Sequence, residues 1–210
     1  MEIRALAVSM FETNCYLIYD EKTGEGAVID PGDEADRIIA EIDQAGFTPK
    51  MILLTHGHGD HIGGVEEIKA KYNIPLYAGQ GEEKIIESSN KHFPAMFGVE
   101  VSCPQPDHLM NEGDKITVGS ETLSVIVTPG HSPGGVCFLN DKVLFCGDTL
   151  FFNSIGRTDL PGGSHSVLID AIKKKLLVLP EDTVCYPGHG PATTIGQERQ
   201  YNPFLTGKFF

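Results

Sequence analysis

A dense cluster of histidine and aspartate side chains follows an apolar run in the first third of the sequence. The motif THGHGDH comes directly after the residues MILL, and its candidate ligands are His56, His58, Asp60 and His61. Imidazole and carboxylate groups suit zinc, iron and manganese, and the intervening glycines permit the backbone angles that convergence on one point requires. Solvated loop histidines are the alternative, but ordinary packing gives no reason for so dense a cluster. The motif therefore predicts a metal site.

Three later segments carry further candidate ligands, each beside a glycine just after an apolar run. They contain His131 in VTPGHSPGG, Asp148 in LFCGDTLF and His189 in VCYPGHGPA. If the apolar runs are strands, their ends can bring these side chains to one edge of the sheets together with THGHGDH. We therefore expect one distributed site built from all seven residues.

The elements that must position these residues include short apolar runs rich in β-branched residues, which predict strands. These runs begin at Ile3, Cys15, Gly26, Lys50, Thr122, Gly135 and Lys142. Helices are predicted at DEADRIIAEIDQAG, HIGGVEEIKAKY, GEEKIIESS, SHSVLIDAIKKKLL and TTIGQERQY, the first with Asp33 as N-cap and Gly46 as its end. This order of elements predicts two sheets packed face to face, with helices covering the outer faces.

The least regular part of the sequence is the polar, proline-containing segment 91–114. It is interpreted as a long surface connection or as a lid over a site. No internal repeat, low-complexity tract or long linker divides the chain, so residues 1–210 are expected to form a single domain.

Composition and charge restrict the classes of partner. The 210 residues are 40% hydrophobic, and 29 acidic against 16 basic residues give a formal net charge of -13. A field of this sign repels phosphate backbones and anionic lipids, so neither nucleic acid nor a membrane is an expected partner. No apolar run approaches the roughly 20 residues that span a bilayer, and the N-terminus lacks the pattern of a secretory signal. A cytoplasmic location is expected.

The five cysteines are odd in number, scattered, and set mostly among apolar neighbours. This distribution favours reduced thiols in the core over disulfides or a CxxC metal site. Cys103, beside Pro104 in a polar stretch, is the candidate for a reactive thiol.

The motif THGHGDH, followed in order by His131, Asp148 and His189, resembles the metallo-β-lactamase superfamily, and GDTLFFNSIGRTDLPGGS resembles its glyoxalase II-like thioesterase branch. The resemblance covers nearly the whole chain and implies an α+β fold, a four-layer αββα sandwich. It implies a first metal ion on His56, His58 and His131, a second on Asp60, His61 and His189, and Asp148 as a bridge between them. Asp30 in VIDPG matches an early strand-end aspartate of the superfamily, which implies that it orients a ligand; a plain turn aspartate is the alternative.

Departures from the pattern separate the branches of the superfamily. Asp148 stands where many true metallo-β-lactamases have cysteine, and His58 argues against the flavo-diiron branch, which resembles HxExD there. Only 21 residues follow His189, so the C-terminal helical domain that recognises glutathione in glyoxalase II is not expected. Arg157 and Asp159 stand where that family has a lysine and a tyrosine near the thioester. The resemblance therefore extends to the metal chemistry and not to glutathione recognition.

The expected cofactors are two divalent metal ions, zinc first, with iron or manganese as alternatives. Two ions about 3.5 to 4 Å apart can hold a water between them and lower its pKa to near neutrality, which gives a bridging hydroxide as nucleophile. Asp60 is expected to orient the hydroxide and accept its proton. Arg157 is expected to bind an anionic group of the substrate; a surface ion pair with Asp159 is the alternative. The expected reaction is hydrolysis of a small acyl thioester of the S-lactoylglutathione type.

Two other functions stay open on these residues. Persulfide dioxygenases resemble the chain as well, including an arginine-threonine-aspartate run after the bridging aspartate, and use a single iron ion. A non-catalytic metal-binding module is the third hypothesis. Structural zinc sites are usually closed and rich in sulfur, whereas the seven ligands here contain none, so the module is the least favoured.

Overall fold

Two six-stranded sheets form the centre of the fold in the computed structural model, which describes residues 1–207. The first sheet has the order β1 (Glu2–Val8), β2 (Thr13–Asp20), β3 (Glu25–Ile29), β4 (Thr48–Leu53), β5 (Leu76–Gly79) and β6 (His108–Met110). The second sheet contains β7 (Lys115–Val118), β8 (Glu121–Val127), β9 (Val136–Asn140), β10 (Val143–Gly147), β13 (Val184–Pro187) and β14 (Thr193–Thr194). β11 (Leu150–Phe151) and β12 (Ser154–Ile155) form a separate hairpin.

The helices divide between the two outer faces. They are α1 (Ala35–Ala45), α2 (Gly59–Ile62), α3 (Val65–Tyr72), α4 (Glu83–Phe97), α5 (His165–Ala171), α6 (Ile195–Tyr201) and α7 (Pro203–Thr206), and a π-helical turn over Ile172–Leu176 continues α5. Among the described residues, no helix is both long and apolar enough to span a bilayer.

Three apolar clusters hold the layers together. Leu17 of β2 packs in the cluster that includes Ile38 of α1, whereas its neighbour Ile18 packs in the cluster between the sheets, with Phe138 and Phe145. A third cluster contains Leu168 of α5 and covers the outer face of the second sheet. Because side chains alternate across a strand, one apolar run supplies two layers. The four-layer αββα sandwich of the α+β class is confirmed.

Strand direction brings the loops of interest to one edge. β4 runs parallel to β3 and β5 in the first sheet, and β10 runs parallel to β13 in the second. β8 is antiparallel to β9, which is antiparallel to β10, so β8 and β10 share a direction. The two sheets meet at this edge, where Val136 N donates to the carbonyl of Thr55 at 2.8 Å.

Two details of the predicted helices were wrong. Helix α1 begins after Glu34, which has a left-handed φ of 52°, and no side chain caps it. Asp33 instead accepts a hydrogen bond from the N–H of Glu34 at 2.7 Å. The segment HIGGVEEIKAKY forms two helices, because Gly63 N and Gly64 N turn away to donate to the carbonyls of residues 32 and 31 at 2.9 and 2.8 Å.

The interpretation of segment 91–114 as irregular holds for residues 98–107 and was wrong for residues 91–97 and 108–110. Helix α4 continues through Pro94 to Phe97, since Phe93 and Phe97 pack on Phe11 with ring centroids 5.4 and 5.1 Å apart. Tertiary packing here outweighs the low helix propensity of proline. Residues 108–110 then form β6 at the edge of the first sheet.

The prediction of reactivity at Cys103 was also wrong. Cys103 is buried, and burial raises the pKa of its thiol to about 12. All five cysteines are buried and none is in a disulfide, which confirms the prediction of reduced core thiols.

Candidate metal centre

The loop after β4 carries the densest part of the site. It runs from Thr55 into α2, whose first turn holds Asp60 and His61. A Cβ at Gly57 would lie 2.7 Å from Cγ1 of Ile86, so glycine is the residue that fits between the two histidines without displacing α4. This loop therefore presents His56 and His58 on either side of a backbone segment that is packed against a helix.

Three histidines form a first group. Nε2 of His131 lies 3.2 Å from Nε2 of His56 and 2.9 Å from Nδ1 of His58. One nitrogen from each ring falls within 4.8 Å of the others. His56 and His131 are buried and His58 is partly buried.

Two histidines and an aspartate form a second group beside the first. Nε2 of His61 lies 3.4 Å from Nε2 of His189. Oδ2 of Asp60 lies 3.2 Å from Nε2 of His189 and 3.7 Å from Nε2 of His61. His61 is fully buried, whereas the side chains of Asp60 and His189 remain 18% and 28% exposed. This group is therefore the more open of the two.

Asp148 lies between the two groups. Its Oδ2 is 3.6 Å from Nε2 of His131 in the first group and 3.7 Å from Nε2 of His189 in the second. Its Oδ1 is 3.5 Å from Nε2 of His61, is buried, and accepts no hydrogen bond. All seven side chains expected from the sequence thus converge at one sheet edge.

The chain matches a known protein family over most of its length. Residues 9–189 match the family described as the metallo-beta-lactamase superfamily. The chain belongs to this superfamily. Hydroxyacylglutathione hydrolase GloC of Haemophilus influenzae is 38% identical over 212 residues, which cover 99% of this chain and 100% of that protein.

Solved structures of the superfamily resemble the fold over almost its full length. The BLEG-1 B3 metallo-beta-lactamase has a TM-score of 0.91 at 41% identity, covering 98% of this chain and 100% of that chain. TTHA1623 in a di-iron-bound form has a TM-score of 0.88 at 35% identity, covering 96% and 100%. ETHE1 from Myxococcus xanthus has a TM-score of 0.84 at 30% identity, covering 100% and 86%.

In His131 and His189, the ring nitrogen that points away from the cluster makes a hydrogen bond of the kind that metal-binding histidines make. Nδ1 of His131 lies 2.8 Å from the carbonyl of Arg157, and Nδ1 of His189 lies 3.0 Å from the carbonyl of Phe11. A carbonyl only accepts, so each Nδ1 carries a proton, and loss of the proton from Nε2, which metal binding requires, leaves a lone pair that points inward. Lone pairs that face one another repel unless a cation lies between them. Together with the orphaned oxygen of Asp148, this donor set fits divalent ions such as zinc, iron or manganese.

The charges of the two groups differ. Burial, reinforced by neighbouring histidines, lowers the pKa of His58 to about 4, and the pKa of His56 is also lowered, chiefly by burial. Burial acts in the same direction on His61, but Asp60 and Asp148 outweigh it and raise the pKa of His61. Two rings of the first group, His56 and His58, are therefore held neutral, while the second group combines imidazole with carboxylate.

Asp30 lies behind the cluster. Its Oδ1 accepts the N–H of Thr55 at 2.7 Å, and its Oδ2 accepts the hydroxyl of Thr55 at 2.5 Å and lies 3.1 Å from Nδ1 of His61. Because the hydroxyl of Thr55 donates to Asp30, it can accept from Nδ1 of His56, which lies 3.1 Å away. One buried carboxylate thus contacts a histidine of the second group directly and one of the first group through Thr55.

Arg157 adjoins the cluster through its backbone, and its exposed side chain pairs with Asp159. Its Nε and Nη2 donate to the two oxygens of Asp159 at 2.7 and 2.8 Å, and both side chains are more than half exposed. Its backbone carbonyl is the partner of His131 described above. The surface ion pair that the sequence left open is therefore present, and contact with a substrate stays a prediction.

Some contacts of the site had no signal in the sequence. Nδ2 of Asn14 donates to the carbonyls of Pro187 and Gly190 at 3.0 and 2.9 Å, and so fixes the loop that carries His189. Nδ1 of His189 bonds to the main-chain carbonyl of Phe11, and a main-chain partner cannot be recognised from the type of residue. Glu82 also contacts ligand-bearing loops, although it is one of two adjacent glutamates in an ordinary GEEK run.

Proposed function

We propose that this protein is a dinuclear metal-dependent hydrolase that cleaves a small acyl thioester of the S-lactoylglutathione type. The observation that carries the proposal is the place of Asp148, which lies within 3.7 Å of nitrogens from both groups while its buried Oδ1 has no hydrogen-bond partner. A carboxylate in this position suits a bridge between two cations. In the proposed site, His56, His58 and His131 hold one ion and Asp60, His61 and His189 the other, with zinc as the proposed metal.

Divalent ions held there would polarise a carbonyl oxygen and acidify water, as in two-metal hydrolases. The chain supplies orientation and proton transfer. Asp60 is the proposed general base, since its Oδ2 lies 3.2 Å from Nε2 of His189 and its side chain is reached by solvent. The hydrogen bonds at Nδ1 of His131 and His189 keep these rings in the tautomer that presents Nε2 to the cluster.

A covalent mechanism through a cysteine has no support among the described residues. All five thiols are buried. Burial raises the pKa of Cys15, Cys103, Cys137 and Cys146, so thiolate is disfavoured at each. Water attacking a polarised carbonyl needs no such nucleophile, which agrees with the proposed hydrolysis.

The thioester class is supported by the 38% identity to GloC over nearly the full length of both chains. Two other similarities define the competing activities. The similarity to ETHE1 favours persulfide dioxygenation as the second candidate, and the similarity to BLEG-1 makes a β-lactam the necessary comparison substrate. All three candidate activities would use this one cluster of side chains in the present protein, so substrates must separate them.

The experiment is a parallel assay of protein loaded with zinc, iron or manganese. The substrates are S-lactoylglutathione, a lactoyl thioester of a short thiol without glutathione, a chromogenic β-lactam, and glutathione persulfide with oxygen. We expect thioester hydrolysis to dominate and Asp60→Asn, compared with the wild type at equal metal content, to lower kcat by about 10²- to 10⁴-fold, the usual contribution of a general base. Thioester rates no higher than those of metal-free protein would overturn the proposal.

A further inference from the structure

Glu82 is a fully buried carboxylate outside the ligand set. It lies between β5 and α4 and is 0% exposed. Its backbone is fixed in a turn, since its N–H donates to the carbonyl of Gly79 at 3.1 Å and its carbonyl accepts from Ile86 at 2.9 Å. A carboxylate removed from water is costly unless both oxygens find donors. The partners of Glu82 therefore indicate why it is there.

Both oxygens of Glu82 accept backbone N–H groups from ligand-bearing loops. Oε2 accepts from Gly57, which stands between His56 and His58, and Oε1 accepts from Gly134, three residues after His131; both distances are 2.7 Å. One side chain thus joins the two loops that carry all three histidines of the first group.

Helix α4 holds the Gly57 loop at a second point. Oγ of Ser89, two turns further along α4, donates to the carbonyl of Gly57 at 2.8 Å. Both polar groups of Gly57 are therefore bound by Glu82 and Ser89, and the absence of a side chain lets Ile86 lie directly against it. Glu82 and helix α4 thus hold this backbone segment from outside the loop.

The second group is supported by other residues. His61 is bound by Asp30, and His189 is bound by the carbonyl of Phe11. Glu82 accepts its two main-chain hydrogen bonds from Gly57 and Gly134, and not from Asp30 or Phe11. A change at Glu82 should therefore affect one metal group and leave the other.

We infer that Glu82 is a positioning residue that fixes the separation of the His58 and His131 loops and thereby sets the metal affinity of the first group. The inference rests on the proposed metal centre. It does not depend on the substrate, because its measurements are of metal binding.

Glu82→Gln is the sharpest variant because glutamine keeps the shape of the side chain. One of its terminal atoms is a donor, which would face a backbone N–H, so only one of the two loops can stay bonded. The matched control is Glu198→Gln. Glu198 is also fully buried and accepts the N–H of Asn153 at 2.9 Å, Nδ2 of Asn202 at 2.8 Å and the hydroxyl of Thr193 at 2.5 Å, but it does not bond to the loops of the first group.

The experiment measures zinc binding by calorimetry to each group separately. His189→Ala weakens the second group and leaves the first intact, and His58→Ala does the reverse. Added to His189→Ala, Glu82→Gln is expected to weaken zinc binding about 10- to 100-fold, as loss of an outer partner of a metal ligand does. Added to His58→Ala, it is expected to change nothing, and Glu198→Gln is expected to leave both groups unchanged.

The unfolding temperature of the metal-free proteins separates positioning from stability. Glu82→Gln and Glu198→Ala should both lower it, since each takes acceptors from buried donors, whereas glutamine at 198 can keep its bonds by donating to the hydroxyl of Thr193. Unchanged first-group affinity, or equal weakening of both groups, would overturn the inference. If Glu82→Gln does not fold, Ser89→Ala carries the test, with a smaller loss confined to the first group expected and no loss overturning it. If the zinc affinities change as expected but the protein shows no thioesterase activity, the proposed substrate is refuted and the inferred role of Glu82 stands.

Discussion

Oδ2 of Asp30 lies 3.1 Å from Nδ1 of His61, on the side of the ring that faces away from the metal ligands. We expect Asp30→Asn to weaken zinc binding to the second group about 10-fold, because the ring loses the charged acceptor that fixes its tautomer. The measurement is zinc titration in the His58→Ala background. Unaltered affinity there would assign Asp30 to the structure of the Thr55 turn alone.

His58→Ala and His131→Ala should lower metal content and hydrolytic rate together. Each removes one of three imidazoles from the first group, and a site with two protein ligands binds weakly. Metal analysis and thioester kinetics on the same preparations make the comparison. The control is His108→Ala, since His108 stacks on Tyr77 away from the cluster and should leave both quantities unchanged. Full metal and full rate in either ligand variant would remove that histidine from the site.

Asp148→Ala should be the most damaging single change to the pair of ions. A bridging carboxylate offsets the repulsion between two cations as well as binding each of them. Zinc titration of Asp148→Ala should show that the second equivalent of zinc no longer binds. The loss of bound zinc should be greater than in Asp60→Ala, which removes a ligand of one group only. A crystal structure of Asp148→Ala with both metals undisplaced would contradict the bridging role.

Arg157→Ala should raise KM for an anionic thioester and leave kcat constant. The guanidinium is exposed at the rim, paired with Asp159, and its carbonyl keeps the bond to His131 whatever the side chain is. Asp159→Asn is the matched variant, which releases the guanidinium and should lower KM. The difference in KM between the wild type and Arg157→Ala should shrink at high salt, because exposed charges are screened.

Two results would remove this role from Arg157. Parallel loss of kcat and kcat/KM would place it against the transition state. Unchanged constants would leave only the ion pair with Asp159, because exposed pairs contribute about 0 to 1 kcal/mol.

Local patterns in the sequence predict much of this fold and the candidate ligands. Apolar runs identify the main strands, and the spacing of THGHGDH places His56 and His61 on one loop after a strand. The path of α4 through Pro94 could not be predicted, because aromatic packing on Phe11 stabilises its last turn. The partners of the ligands depend on long-range contacts as well. Glu82 has no local feature that separates it from a surface glutamate.

The dinuclear site is tested most directly by metal analysis of protein purified without added metal, followed by assay of that same sample against thioesters and persulfides. Two groups joined by Asp148 predict two zinc equivalents per chain and hydrolysis of S-lactoylglutathione or a simpler lactoyl thioester. One iron equivalent with oxygen consumption on a persulfide and no thioester hydrolysis would contradict it.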